Sequence, residues 1–203
     1  MQRNPTPARM RSPMRKLTHS EISSRRLSVE DAISAARSPI YGLLENVRSL
    51  YNVGSIFRTS DAILLSKLYL TGFTPYPPRP EISKTALGAV ESVPWSYHKR
   101  PLDALDEIKS MGIKFILLEQ TKESIPIWEI PQDIFPACIA VGNEIGGTTG
   151  EIVDAADVAV DIPMLGVKHS LNVAVAYGIA VYRLYEMYIT QRRGDGAAVP
   201  GVR

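Results

Sequence analysis

The sequence predicts an α/β domain built on a mostly parallel sheet flanked by helices. Lys114-Phe-Ile-Leu-Leu118 and Ala137-Cys-Ile-Ala-Val141 are short, nearly continuous apolar runs, as expected of parallel strands buried on both faces. Around them, strand-like runs alternate with segments of helical periodicity. Near the C-terminus, Val158-Ala-Val-Asp-Ile162 reads as a strand closed by Pro163, and Leu171–Ile189 reads as a long terminal helix started by Ser170. The loop between them, Met164–His169, thus joins the carboxyl end of a strand to the amino end of a helix, where open α/β sheets bind ligands.

The remaining elements follow in order. Residues 1–16 hold three prolines and five Lys/Arg and are expected to be disordered. Ser28-Val-Glu-Asp31 resembles a capping box and starts a short helix to about Arg37, which Pro39 ends. Tyr41–Leu44 is the first core strand, followed by a loop over Asn46–Gly54. Val53–Leu64 is a helix with Arg58 on its first or second turn. Lys67–Thr71 is the second strand, and a proline-rich loop runs from Gly72 to Pro80. Ile82–Val90 reads as a short helix and Ser92–Tyr97 as a short strand. Pro101–Met111 reads as an amphipathic helix stopped by Gly112. No internal repeat or interior linker divides the chain.

Composition narrows the function classes. The 203 residues are 45% apolar and 22% charged, enough for one domain with a real core. The single cysteine, Cys138, lies in an apolar run and is read as a small buried hydrophobe rather than a reactive thiol. No apolar stretch is long enough for a membrane span, and the N-terminus lacks the apolar core of a signal peptide, so a cytoplasmic location is the default. His19 and His98 have no carboxylate or cysteine at ligand spacing, and no metal site is expected. The net charge is +2, yet residues 1–37 carry eight Lys/Arg against three acids, leaving a basic arm on a mildly acidic body. Such an arm suits a polyanion. Arg79, Lys84, Lys99 and Arg100, with Tyr76 and Trp95 nearby, are candidates to extend an RNA-facing surface or are simply solvated loop charges.

Three motifs carry a family resemblance. Gly142-Asn-Glu-Ile-Gly-Gly147 and Ile162-Pro-Met-Leu-Gly-Val-Lys-His-Ser-Leu-Asn-Val173 resemble the second and third motifs of the SpoU (TrmH-like) branch of the SPOUT RNA methyltransferases. Asn46-Val-Arg-Ser-Leu-Tyr-Asn-Val-Gly-Ser-Ile-Phe-Arg-Thr59 is similar to that family's first motif. Their order and spacing cover roughly Ile40 to Glu186. The resemblance implies a deep trefoil knot, with the segment from about Gly142 to Gly166 threaded and the last helix tucked behind it; periodicity alone implies only an ordinary doubly wound sheet. It also implies methyl transfer from S-adenosyl-L-methionine to a ribose 2′-hydroxyl of RNA, tRNA more than rRNA, by a homodimer whose sites lie where the last helix packs. Domain bounds on this reading are a basic arm over 1–37, the methyltransferase domain over 38–190, and a flexible tail over 191–203.

By the same resemblance, the cofactor lies against Leu118, Glu119, Gly142, Asn143, Ile162, Met164 and Leu171. The apolar members are equally readable as core. The remaining polar positions of the motifs are Asn52, Arg58, Glu144, Ser170 and Asn172. Arg58 corresponds to the arginine that activates the 2′-hydroxyl; a guanidinium pKa above about 12 makes alkoxide stabilisation and phosphate clamping its more comfortable role than proton abstraction. Glu144, in a turn flanked by glycines, is suited to accept backbone donors, and Ser170 is equally readable as a helix cap. Lys168 and His169 are candidates for phosphate contact or plain surface. Two other classes remain: a knotted RNA-binding module without catalysis, and a doubly wound oxidoreductase, which the absence of G-x-G-x-x-G after any strand disfavours.

Overall fold

The computed structural model describes residues 14–196. One parallel sheet holds β1 (Ser38–Glu45), β2 (Leu65–Thr71), β3 (Trp95–His98), β4 (Lys114–Leu118), β5 (Ile125–Pro126), β6 (Ala137–Val141) and β7 (Val158–Asp161). Their spatial order is β3-β2-β1-β6-β4-β7-β5. The helices among the described residues are α1 (His19–Ser23), α2 (Val29–Ser34), α3 (Leu50–Ala62), α4 (Pro80–Ala86), α5 (Ala89–Ser92), α6 (Pro101–Ser110), α7 (Gly150–Asp154) and α8 (Val173–Gly194), with a 3-10 turn at Ile127–Glu129.

Alternation along the central strands creates two cores. Leu44, Ile116 and Ile139 face α3, α4, α5 and α8, where Val53, Ile56, Phe57, Ile82, Ala89 and Ala180 pack against them. Their neighbours Leu43, Phe115 and Cys138 face the other way, onto Ala104, Leu105 and Ile108 of α6 and Ile152 of α7. Cys138 is fully buried, and burial pushes its thiol pKa up, as fits a small packing residue. Register places Ala140 of β6 beside both Leu43 of β1 and Leu117 of β4. The carboxyl ends of β1, β4, β6 and β7 therefore open toward the same side of the sheet, which sets where a ligand can enter.

Several boundaries differ from expectation for identifiable reasons. α3 begins at Leu50 instead of Val53, because the Ser49 side chain accepts from Asn52 N–H at 3.3 Å and caps it there. Arg58 consequently falls on the third turn. α3 and α4 approach so closely that a Cβ at Gly54 would collide with the Ile82 carbonyl and the Thr85 hydroxyl. The segment 82–90 is two helices, broken where Leu87 (φ 51°) and Gly88 (φ 92°) turn left-handed. α8 starts at Val173 and Asn172 caps it through Ala174 N–H (2.9 Å) and Val175 N–H (3.4 Å); Ser170 is not the cap. α1, α7, β5 and the 3-10 turn, each five residues or fewer, were not anticipated.

In the N-terminal arm, Ser28 caps α2 by accepting from Asp31 N–H at 3.0 Å, and the helix ends at Ser34, before Arg37. Arg37 is not a free arm cation. It donates to the carbonyls of Ala32 (3.0 Å), Leu65 (3.0 Å) and Ser92 (2.7 Å), fastening the arm to the domain. The expected disorder of residues 1–16 lies, up to residue 13, outside the described residues. α8 continues through Gly194, into the segment read as a tail, and residues 197–203 of that segment also lie outside the described ones.

Candidate active site

The site grows out of the carboxyl ends of β4, β6 and β7. After β6 the chain turns sharply: Asn143 and Gly147 exchange two backbone hydrogen bonds of 3.0 Å, and Asn143 Oδ1 accepts from Ile145 and Gly146 N–H, each at 2.9 Å. A Cβ on Gly142 would stand 2.5 Å from the Gly147 carbonyl carbon, so any side chain there opens the hairpin. Two carboxylates hold the strand of chain beyond it. Glu119 Oε2 accepts from Thr148 N–H at 3.3 Å, and the fully buried Glu45 accepts from Thr149 N–H (3.0 Å) and its hydroxyl (2.6 Å).

This hairpin, the end of β4 and the loop after β7 enclose a cavity of about 240 Å³. Leu118, Glu119, Gly142, Asn143, Ile162, Met164 and Leu171, all seven predicted from sequence, line it. Glu144 and Ser170 line it too. Gln120, Asp161, Val173 and Ala176 also contribute and were missed; Asp161 belongs to the strand read as structural, and Val173 and Ala176 to the helix read as packing. The loop is poor in internal bonds. Among the described residues, its main chain from Met164 to Leu171 makes one hydrogen bond, in which the His169 carbonyl accepts from Gln120 Nε2 at 2.7 Å. Lys168 and His169 are both exposed.

At the cavity's edge a polar network joins all three motifs. Glu144 accepts from Arg48 N–H (3.1 Å), Ser49 N–H (3.3 Å) and Asn52 Nδ2 (3.1 Å). Burial pushes the Glu144 carboxyl up, but the hydrogen bonds from Arg48, its own N–H, Asn52 and Ser49 outweigh this and hold it below the ordinary carboxylate range. Asn172 Nδ2 in turn donates to Asn52 Oδ1 at 3.1 Å. Of the five predicted polar residues, Glu144 and Ser170 line the cavity, Asn52 is bonded to Glu144, and Asn172 is joined through Asn52 one step farther out.

Arg58 is the exception. It does not line the cavity of its own chain; it stands exposed on the solvent face of α3 with Tyr51, Ser55 and Ala62, and makes no hydrogen bond or ion pair among the described residues. Trp95 stands beside Tyr76 as the sequence suggested, ring centroids 6.4 Å apart. It packs edge-on against Phe57, ring centroids 6.3 Å apart, at the margin of the core. Among the described residues no cluster of three or more His, Cys, Asp or Glu is placed to hold a metal, and no helix is long and apolar enough to cross a membrane.

A family model described as the SpoU rRNA Methylase family matches residues 39–182, more than half of the chain. The chain belongs to that family. Its resemblance to individual members is moderate. It is 30% identical to the tRNA (guanosine(18)-2′-O)-methyltransferase of Aquifex aeolicus, over 79% of this chain and 75% of that one. It is 32% identical to the 23S rRNA (guanosine(2553)-2′-O)-methyltransferase RlmP of Bacillus subtilis, over 76% of this chain and 60% of the relative. The crystal structure of the A. aeolicus TrmH/SpoU tRNA modifying enzyme matches with a TM-score of 0.71 at 28% identity, over 83% of this chain and 82% of that one. The AdoMet-bound rRNA methyltransferase of Sinorhizobium meliloti matches with a TM-score of 0.69 at 27% identity, over 78% of this chain. This SpoU family member spans only 57% of that neighbour's length and 60% of the Bacillus relative's.

Proposed function

We propose that this SpoU family member is an RNA methyltransferase that moves a methyl group from S-adenosyl-L-methionine to a ribose 2′-hydroxyl. The observation that carries the reading is the convergence of three separated motifs on one cavity and its polar edge. The cavity suits such a cofactor. Leu118, Ile162, Leu171 and Val173 offer an apolar slot for a planar heterocycle, and the loop from Met164 to Leu171 presents main-chain groups with almost no partners of their own. Bound there, S-adenosyl-L-methionine would supply an electrophilic methyl group on a sulfonium. The chain's own contribution is positional: the Glu144–Asn52–Asn172 network fixes the edge over which a ribose must approach. Membership of the family also brings the expectation that the segment from Gly142 to Gly166 is threaded as a trefoil knot.

Arg58 is assigned to stabilising the developing alkoxide and gripping the neighbouring phosphate, in a homodimer where it reaches the cavity of the second copy. Two surfaces support this assignment. Val175 (52% exposed), Ile179 (41%) and Tyr182 (50%) form an apolar stripe along α8, and the exposed face of α3 carries Tyr51 beside Arg58. Transfer RNA is proposed ahead of ribosomal RNA, a preference supported by the A. aeolicus tRNA enzyme, 75% of whose length is covered. The position of Arg58 outside its own chain's cavity is also the one observation favouring a non-catalytic RNA-binding module.

The deciding experiment is calorimetry with S-adenosyl-L-methionine together with transfer of a labelled methyl group to unfractionated tRNA and rRNA, followed by nucleoside mass spectrometry. Binding and a 2′-O-methylated nucleoside are expected. RNA binding with no affinity for the cofactor would leave the module reading in its place.

A further inference from the structure

Resting on the RNA reading above, we propose that Phe73, backed by Arg48, is a stacking seat for an unpaired base of the RNA next to the ribose that receives the methyl group. Phe73 follows β2 on the same side of the sheet as the cavity, and 56% of it is exposed, although nothing local forces a phenylalanine into water. The Arg48 guanidinium covers the ring at 5.6 Å from its centroid, a cation–π arrangement that leaves the remaining ring surface available.

The seat is fastened to the candidate site by two routes. Arg48 N–H donates to Glu144 at 3.1 Å, so the cation over the ring is carried by a residue held to the cavity edge. Asn46 Oδ1 accepts from Phe73 N–H at 3.1 Å, while the Asn46 carbonyl accepts from Asn143 Nδ2 at 2.8 Å. An exposed aromatic ring held this firmly beside a polar site is poorly explained by packing, and well explained by a planar partner.

The surroundings favour RNA as that partner. Arg48, Arg79 and Lys84 are exposed, and none makes an ion pair among the described residues. Three residues beyond Phe73, Tyr76 lies against Tyr97 with ring centroids 4.2 Å apart and remains 43% exposed, extending the aromatic surface. Cations interleaved with rings fit a phosphate backbone with its bases turned out. A base inside an A-form duplex has no free face to offer, so the strand must be open at this point.

The test compares Phe73→Ala, Phe73→Leu and Phe73→Trp in the full chain. Probes are a labelled unstructured 12-nucleotide RNA, the same RNA annealed to its complement, and unfractionated tRNA. Phe73→Ala and Phe73→Leu should weaken single-strand binding about fivefold or more, the low end of what losing one stacked base costs. They should raise the tRNA KM in methyl transfer while leaving cofactor affinity and duplex binding as in the wild type. Phe73→Trp should retain binding, with its indole fluorescence quenched by the single strand. Equal single-strand affinity for wild type and Phe73→Ala overturns the proposal, as does full activity of Phe73→Leu. A wild-type protein that binds RNA but neither binds the cofactor nor transfers methyl groups overturns the enzymatic reading instead, and the binding comparison still decides the seat.

Discussion

Asn52 and Glu144, ninety-two residues apart in sequence, meet through a 3.1 Å hydrogen bond that joins the first motif to the second. The orientation of every amide in this chain of contacts is fixed by chemistry. Asn172 Oδ1 accepts from the start of α8, so its Nδ2 must face Asn52 Oδ1; Asn52 Nδ2 then faces Glu144, which as a carboxylate can only accept.

Acidification should loosen this junction with a definite sign. The folded-state pKa of Glu144 is depressed, so the stability it contributes is present above the ordinary carboxylate value of about 4.3 and is lost as pH falls through the lowered folded value. Glu144→Gln removes the charge at every pH. The melting-temperature difference between wild type and Glu144→Gln should therefore be seen at pH 7 and shrink toward zero at strongly acidic pH. A difference that stays constant down to acid unfolding would refute the carboxylate's role.

Asn172 has two separable jobs, capping α8 and donating to Asn52. Asn172→Ala should lose both, at a cost of about 1 kcal/mol from the cap alone. Asn172→Asp keeps a cap acceptor but no amide donor. Urea denaturation should show most of the stability restored in Asn172→Asp, while methyl transfer stays as impaired as in Asn172→Ala.

Arg58→Ala should abolish methyl transfer and leave cofactor affinity unchanged. If the guanidinium works across a dimer, Arg58→Ala and Gly142→Ala, each inactive alone, should regain activity when co-expressed as mixed dimers. One site in such a dimer has an intact Gly142 hairpin from the first chain and an intact Arg58 from the second. Inactivity of purified mixed dimers would return Arg58 to its own subunit or to the surface.

Beneath α8, Gly42 of β1 faces Tyr177, and a Cβ at Gly42 would lie 2.7 Å from the Tyr177 hydroxyl and 2.9 Å from Leu68 Cδ1. That hydroxyl pairs with the buried Ser60 hydroxyl at 2.8 Å. Gly42→Ala should cost roughly 1–3 kcal/mol through overpacking. Tyr177→Phe should cost about 1–3 kcal/mol by leaving Ser60 unpaired. In the double variant Gly42→Ala should cost less than in the wild type, because one of its two closest contacts is gone; strict additivity in denaturant titrations would argue against the geometry.

The two central strands were legible to the residue, because burial on both faces permits little except apolar side chains. Seven of the cavity's lining residues were legible through the family resemblance; Gln120, Asp161, Val173 and Ala176 were not, because each also reads as an ordinary part of a strand, loop or helix. Helix starts were legible for α2, capped by Ser28, and for α6 at Pro101, but not for α3, α4 and α8. With Ser49 as its cap, α3 starts three residues ahead of the expected Val53, and Asn172 takes the cap read at Ser170; competing Ser and Asn residues within a few positions give a sequence no means of choosing. Phe73 was overlooked because a lone phenylalanine in a loop carries no periodic signal, and its exposure depends on where Asn46 pins the turn.

Asn143 serves two neighbourhoods at once: its main chain closes the hairpin on the cavity wall, and its amide grips Asn46, which anchors the turn bearing Phe73. A molecule that stiffens one end of this linkage lowers the entropy left to lose at the other. Cofactor and nucleic acid would then bind cooperatively, each improving the other's affinity by the same factor. Cutting the bridge with Asn143→Ala would leave two independent binding events where the intact protein has one coupled pair.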